Sequence, residues 1–309
     1  MKKRATLYYT LILVAVGFWG VSFVFTKALL AHLAPIVILF LRLLIATALQ
    51  AVVCRLFFHQ PLRKIPGKDW LYLLMLSLFE PFLYFIFETY SIQYTDPTIV
   101  SVIIATIPIF TVLLSFFYFK ENLSWLNMAG VAVSVAGIVV MLVPEFGDVT
   151  FNPLGIVLAF GAVGTAVGYS FFLKKISDRY NPIFIVTWQN TFGLLFILPV
   201  MLLVHGTGDL HRQFAMLADP AVLRDVILLA VFCSALAYTF YITALQRIGL
   251  GRANTFTNLI PVVTGLFAFF VLGEPFPPLK IIGAVMAVAG VWCVQAQFKK
   301  NKAISFHQK

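Results

Sequence analysis

Ten apolar runs follow one another along this chain with little between them, each close to the roughly 20 residues needed to cross a hydrocarbon core as a helix. They fall near residues 7–30, 35–58, 70–91, 97–119, 124–143, 153–173, 182–204, 223–246, 251–272 and 278–297. A chain of 309 residues with 61% hydrophobic and 11% charged side chains is too apolar for a soluble globular protein. Pro35, Asp96-Pro97, Ser124, Asn152-Pro153, Asn181-Pro182 and Pro277-Pro278 stand where helices should begin. The longest stretch between runs, near 205–222, is too short for a soluble domain. The first run follows Met1-Lys-Lys-Arg like a signal peptide, yet it outlasts the usual apolar core and lacks a small-residue cleavage pattern, so it reads as a retained helix. Cys54, Cys233 and Cys293 sit singly in apolar runs, without the spacing of a disulfide frame or a metal site. No metal and no cofactor are expected.

The second constraint is internal duplication. Gln93 to Gly137 recurs without a gap at Gln246 to Gly290, an offset of 153, and Gln93/Gln246, Pro108/Pro261, Glu121/Glu274, Gly130/Gly283 and Gly137/Gly290 carry the match. An offset of 147 pairs Ala15-Val-Gly17 with Ala162-Val-Gly164, Lys27 with Lys174 and Pro35-Ile36 with Pro182-Ile183. The expected domains are therefore residues 1–150, a first five-helix repeat, and 151–309, a second five-helix repeat with a short basic C-terminal tail.

The net charge of +10 comes from short basic clusters between apolar runs rather than from a patch suited to nucleic acid. With the N-terminus inside, seventeen Lys and Arg fall on the cytoplasmic side and only Arg212, Arg224 and Lys280 outside. Both termini are then cytoplasmic. A unit of five helices is odd, so its two copies must enter the membrane in opposite directions. The expected fold is an all-α membrane protein of ten transmembrane helices arranged as two inverted-topology repeats of five.

Gly17-Phe-Trp-Gly20 with Phe23 and Lys27, Arg42 in the second run, and the segments Pro108…Lys120-Glu121 and Pro261…Gly273-Glu274, followed by Gly130 and Gly283, resemble the EamA family of the drug/metabolite transporter superfamily. The resemblance covers essentially the whole chain. It implies ten helices in two inverted fives, and movement, most often export, of small metabolites such as amino acids across the bacterial cytoplasmic (inner) membrane without ATP hydrolysis. It does not fix the substrate.

Ionisable groups within apolar runs are costly and need a partner or a task. Lys27, Arg42, Glu80 and Glu88 qualify. Glu80, Tyr84 and Glu88 are spaced to share one face of a continuous third helix. Depth along the helices matches Arg42 to Glu80 and Lys27 to Glu88, and Glu80, the deeper acid, is the candidate proton-coupling group. The second half has no equivalent acid: Cys233 stands 153 residues after Glu80, and Gln189 stands 147 after Arg42. Its polar groups include Gln189, Asn190, Ser234, Tyr238, Tyr241, Asn254 and Asn258. The candidate substrate-binding set is Trp19, Arg42, Tyr84, Gln189, Tyr238, Asn254 and Asn258, with the rings as an apolar wall; Asn190 reads instead as packing glue. Pro108 and Pro261 are candidate gating kinks. Glu121 and Glu274 precede new helices, whose N-termini favour negative charge.

These residues predict a secondary transporter that exposes a central site alternately to either side, for an amino acid or derivative. The alternatives are a drug, sugar or nucleotide-type metabolite in the same fold, or a membrane-embedded enzyme or channel. The five histidines lie in loops or at ends without HExxH spacing, and no filter sequence is present. Expected partners are the small-molecule substrate, lipid and protons, with the chain a monomer or homodimer.

Overall fold

In the computed structural model, residues 2–57, 65–110, 125–144, 152–249, 253, 256–275 and 277–307 are described. The helices are α1 (Lys2–Leu29), α2 (Pro35–Phe57), α3 (Gly67–Ser77), α4 (Tyr84–Tyr94), α5 (Pro97–Ile104), α6 (Trp125–Leu142), α7 (Pro153–Ile176), α8 (Pro182–Val204), α9 (Thr207–Ala215), α10 (Pro220–Leu228), α11 (Ala237–Ile248), α12 (Ile260–Phe267) and α13 (Pro278–His307). No strand occurs among the described residues. α3 and α4 form one long span through a wide turn, Leu78–Leu83, and α10 and α11 form another through Leu229–Leu236.

Six described helical spans are long and apolar enough to cross a membrane: Thr6–Leu29, Pro35–Leu56, Gly67–Tyr94, Pro153–Ile176, Pro182–Val204 and Pro220–Ile248. Four shorter apolar helices accompany them, at Pro97–Phe110, Met128–Val140, Thr257–Leu272 and Pro278–Cys293. Asn152 and Asn181, each followed by a proline, accept from the backbone N–H two residues on, as the sequence suggests. Asp219 does the same ahead of Pro220, a start the sequence placed near residue 223, whereas Asp96 makes no side-chain cap and Ser124 lies outside the described residues. The stretch after residue 204, expected to be a loop, contains α9. Its Gln213 accepts from Ala34 N at 2.9 Å at the start of α2, and its Phe214 packs on Phe40.

Packing between the two halves is reciprocal. α2 packs on its mate α8, and α6 on its mate α13; α1 packs on α11 as α7 does on α4, and α1 on α12 as α7 does on α5. The glycines resolve this to single atoms. A Cβ at Gly137 would lie 2.4 Å from Ala287 N and 2.6 Å from Gly283 O. At Gly290 it would lie 2.5 Å from Ser134 N and 2.6 Å from Gly130 O, the same contact 153 residues away. Backbones this close draw stabilisation from dispersion and tolerate no side chain, which suits a medium that offers little hydrophobic drive between helices.

Gly137→Ala and Gly290→Ala should therefore each destabilise the protein, by about 1–3 kcal/mol. The melting temperature in detergent would check this, with Gly17→Ala, which meets nothing within 4 Å, as the control expected to melt within a degree or two of wild type.

Candidate functional site

A cavity of about 80 Å³ lies where the halves meet, walled by Trp19, Ser22, Arg42, Glu80, Tyr84, Glu88, Ile107 and Pro108 from the first half and Tyr169, Ser170, Tyr238, Tyr241, Thr257 and Ile260 from the second. Two irregularities in the helices build it. The wide turns Leu78–Leu83 and Leu229–Leu236 occupy matching places in the two repeats, and such turns release backbone and side chains from the regular helical face. In the first, Glu80 leaves helical geometry altogether (φ −151°, ψ 120°) ahead of Pro81. Its neighbours are held by the second half: a Cβ at Gly168 would lie 2.5 Å from the Phe79 ring, and one at Gly193 would lie 2.4 Å from Pro81 Cγ.

The break corrects two expectations. Glu80, Tyr84 and Glu88 do not ride on one continuous helix; only Tyr84 and Glu88 do, and the Tyr84 hydroxyl donates to Glu88 Oε1 at 3.1 Å. The ionic pairing also differs. Arg42 lies nearest Glu88, with Nη1 3.9 Å from Oε2, while Glu80 accepts a hydrogen bond from the Tyr238 hydroxyl. Arg42 further donates from Nε to Ser234 Oγ at 2.5 Å and lays its guanidinium 3.7 Å above the Phe85 ring. Lys27 does not pair with Glu88. Its Nζ donates to the carbonyls of Ile92 at 2.8 Å and Thr95 at 3.1 Å, neutralising the negative end of α4. Linear depth could not foresee this, because the turn at Glu80 shifts the register of everything after it.

The other expected residues are distributed as follows. Trp19 stands in the cavity against Tyr238 and Tyr241, with ring centroids 5.0 and 4.9 Å away. Gln189 is fully buried behind the wall, where its Oε1 accepts from the Tyr169 hydroxyl at 3.4 Å. Asn190 donates to Gln50 Oε1 at 2.8 Å, a bond between helices away from the cavity. Asn258 lines a different concavity, an apolar groove of about 890 Å³ beside α12 and α13, and Asn254 lies outside the described residues. The helix carrying Pro108 turns at Ala105–Thr106, and the one carrying Pro261 passes through a tight turn at Thr257–Leu259. Among the described residues no group of three or more His, Cys, Asp or Glu could hold a metal ion.

Tyr169 and Ser22 were not foreseen as wall residues, although they are repeat mates at the offset of 147. Also unforeseen are two polar clusters at the ends of the bundle. At one end Lys280 Nζ donates to Asp96 Oδ2 at 2.6 Å and Glu274 Oε1 at 3.3 Å, and the Thr98 hydroxyl donates to Glu274 Oε2. Lys280 is 1% exposed. Burial, and then the charge of Asp96, hold the Glu274 carboxyl above the usual carboxylate range against the opposing pull of Lys280. Glu274 therefore pairs across helices rather than serving only the start of the next one; Glu121 lies outside the described residues. A lysine in the first turn of a helix opposes the macrodipole, and that was the available signal for an acidic partner. At the other end Asp69 binds Arg179 at 2.8 Å and the Tyr180 hydroxyl at 2.7 Å.

The chain matches the model of the EamA-like transporter family over residues 6–143 and 153–295. It belongs to that family, and is a multi-pass membrane protein of a transporter class. An uncharacterized transporter of Archaeoglobus fulgidus is 27% identical over 95% of this chain and 99% of its own. A probable amino-acid metabolite efflux pump of Salmonella typhimurium is 28% identical over 91% and 92%. A probable terminal-alkyne amino-acid exporter of Streptantibioticus cattleyicolor is 30% identical over 63% and 62%. A crystal structure at 17% identity superposes with a TM-score of 0.65 over 95% of this chain and 98% of that one, a likeness of fold.

The pairing found here is testable in a double-mutant cycle on thermal stability. Arg42→Gln and Glu88→Gln should couple by about 0.5–3 kcal/mol, and Arg42→Gln with Glu80→Gln by clearly less. The reverse order would restore the pairing drawn from linear depth.

Proposed function

We propose that this protein is a secondary transporter that exports amino acids or close derivatives across the bacterial inner membrane by alternating exposure of the cavity between its two repeats. One observation carries the reading: a buried Arg42, Glu80 and Glu88 gathered in a cavity walled by both halves, at the wide turns of two interrupted helices. Intramembrane charge facing a cavity marks a substrate or ion path, and interrupted helices at a repeat interface are a recurrent way to build one. The relatives named as amino-acid exporters and efflux pumps support the substrate class.

In this reading the chain is ten helices, residues 1–150 and 151–309 being inverted repeats, with both termini cytoplasmic. The reciprocal packing supports the duplication, and the basic residues support the orientation. The two end clusters serve as gates. Lys280, Asp96 and Glu274 hold the outer side, Asp69 with Arg179 and Tyr180 the inner, and the breaks near Pro108 and Pro261 absorb the motion. A cavity of about 80 Å³ has room for a few waters or a very small ligand, so binding of larger substrates requires one gate to open. Glu80, which has no cation as its direct partner among the described residues, takes the substrate's ammonium or a proton in turn, and this competition couples the two fluxes.

Counterflow in proteoliposomes tests the proposal. Wild type should exchange at least one labelled amino acid and accumulate it against its gradient when a pH difference is imposed. Glu80→Gln should keep exchange at reduced affinity and lose the pH-driven accumulation. Failure of every amino acid to exchange would reject the substrate class, and full accumulation by Glu80→Gln would reject the coupling role. A reporter fused after Lys309 should be active on the cytoplasmic side only.

A further inference from the structure

The buried groups around the cavity are unequal in what they leave unpaired. Trp19 Nε1 and Arg42 Nη1 are both buried, and neither has a hydrogen-bond partner among the described residues. Both side chains line the cavity. Arg42 has spent its Nε on Ser234, and its Nη1 stands 3.9 Å from Glu88 Oε2, beyond hydrogen-bond reach. A third orphan, Gln189 Nε2, lies just behind, on the carboxamide that accepts from Tyr169. All three are N–H donors. One oxygen of each cavity carboxylate already has a donor, Glu80 Oε1 from Tyr238 and Glu88 Oε1 from Tyr84. Buried donors without partners are uncommon and costly, and a site that keeps them in its wall is short of an acceptor.

We infer that Trp19 Nε1 and Arg42 Nη1 form a two-donor subsite for a carboxylate, so that the transported molecule must carry a free acid group. The assignment changes the role of Trp19 from apolar wall to hydrogen-bond donor. The geometry favours that change, because its ring is already engaged by Tyr238 and Tyr241, which leaves the polar edge as the part with an unmet requirement. A carboxylate has two oxygens, each able to take one of these donors, and its charge compensates the guanidinium that Glu88 reaches only at a distance. The carboxamide of the same compound offers one oxygen, no charge and two further donors. The inference rests on the transport reading above and narrows its substrate class from amino acids and close derivatives to those that keep a free carboxylate.

The test is counterflow and thermal-shift binding with three sets of probes: the twenty amino acids, their carboxamides, and monocarboxylates without an amine, such as acetate and lactate. Wild type should respond to acids about tenfold or more better than to the matching carboxamides. Trp19→Phe keeps the ring and deletes the N–H; it should bring acids down toward the carboxamides and leave the carboxamides within about twofold. Trp19→His, which restores a ring N–H, should recover part of the preference. If Trp19→Phe fails to fold, Trp19→Leu, which likewise lacks a donor, is read in its place. Equal responses to amino acids and their carboxamides, or a preference untouched in these variants, would overturn the carboxylate subsite and leave amino-acid transport standing. A Trp19-dependent response to monocarboxylates alone would keep the subsite and reject the amino-acid class. No response from any of the three sets would reject both.

Discussion

Placing a guanidinium inside an apolar helical bundle is the constraint on which the rest of this structure turns. Arg42 is 2% exposed, and an isolated cation in such surroundings is among the most expensive groups a protein can bury. Four things reduce the cost: the Ser234 hydroxyl, the face of Phe85, the carboxylate of Glu88, and the cavity itself. They come from different spans, so α2 cannot be solvated unless α4 and the wide turn before α11 are in place. Satisfying one charge therefore orders the meeting point of the two halves.

Duplication supplies the frame for that meeting point, and departures from duplication supply its chemistry. Backbone contacts such as Gly137 on Gly283 and Gly290 on Gly130 obey the repeat closely, since close helix packing depends only on the absence of a side chain on either partner. The polar positions do not obey it. Cys233 is the position equivalent to Glu80 at the offset of 153 and Gln189 that equivalent to Arg42 at 147, so one half brings ions and the other neutral donors and hydroxyls. The ends diverge in the same way. One holds a lysine that is 1% exposed, the other an arginine whose side chain is 56% exposed. A buried cluster is costly to separate because each ion would be left without its partner, whereas an exposed one exchanges its partner for water. Under the proposed mechanism, that inequality biases which side opens first.

How much could be read in advance depended on the range of the interaction concerned. Membrane character, capped helix starts and the two repeats follow from composition, periodicity and residue identity along the chain, and the family resemblance rests on motifs that are local in sequence. Arg42, Glu80 and Glu88 stood out because charge within an apolar run is conspicuous without any structure. Their partners did not. Pairing Arg42 with Glu80 assumed a straight helix, and the non-helical backbone at Glu80 removed the assumption. Tyr169 and Ser22 were hidden because hydroxyls are common in membrane helices and reveal nothing until a wall forms around them. The amide of Gln189 was noticed for its polarity, but only packing placed it behind Tyr169 rather than beside the substrate.

By itself, then, the sequence determined that this chain is a helical membrane protein with an internally matching sequence, carrying ions where ions are costly. Those properties are sums over many residues or identities at single positions, and both survive without coordinates. Tertiary structure alone decided which acid sits nearest the arginine, that Lys27 serves backbone carbonyls, that Lys280 is buried between two acids, and which N–H groups remain unpaired around the cavity. Such facts depend on separations of a few ångströms between residues far apart in the chain. Two interrupted helices and the reciprocal docking of the halves set those separations, and no local pattern encodes them.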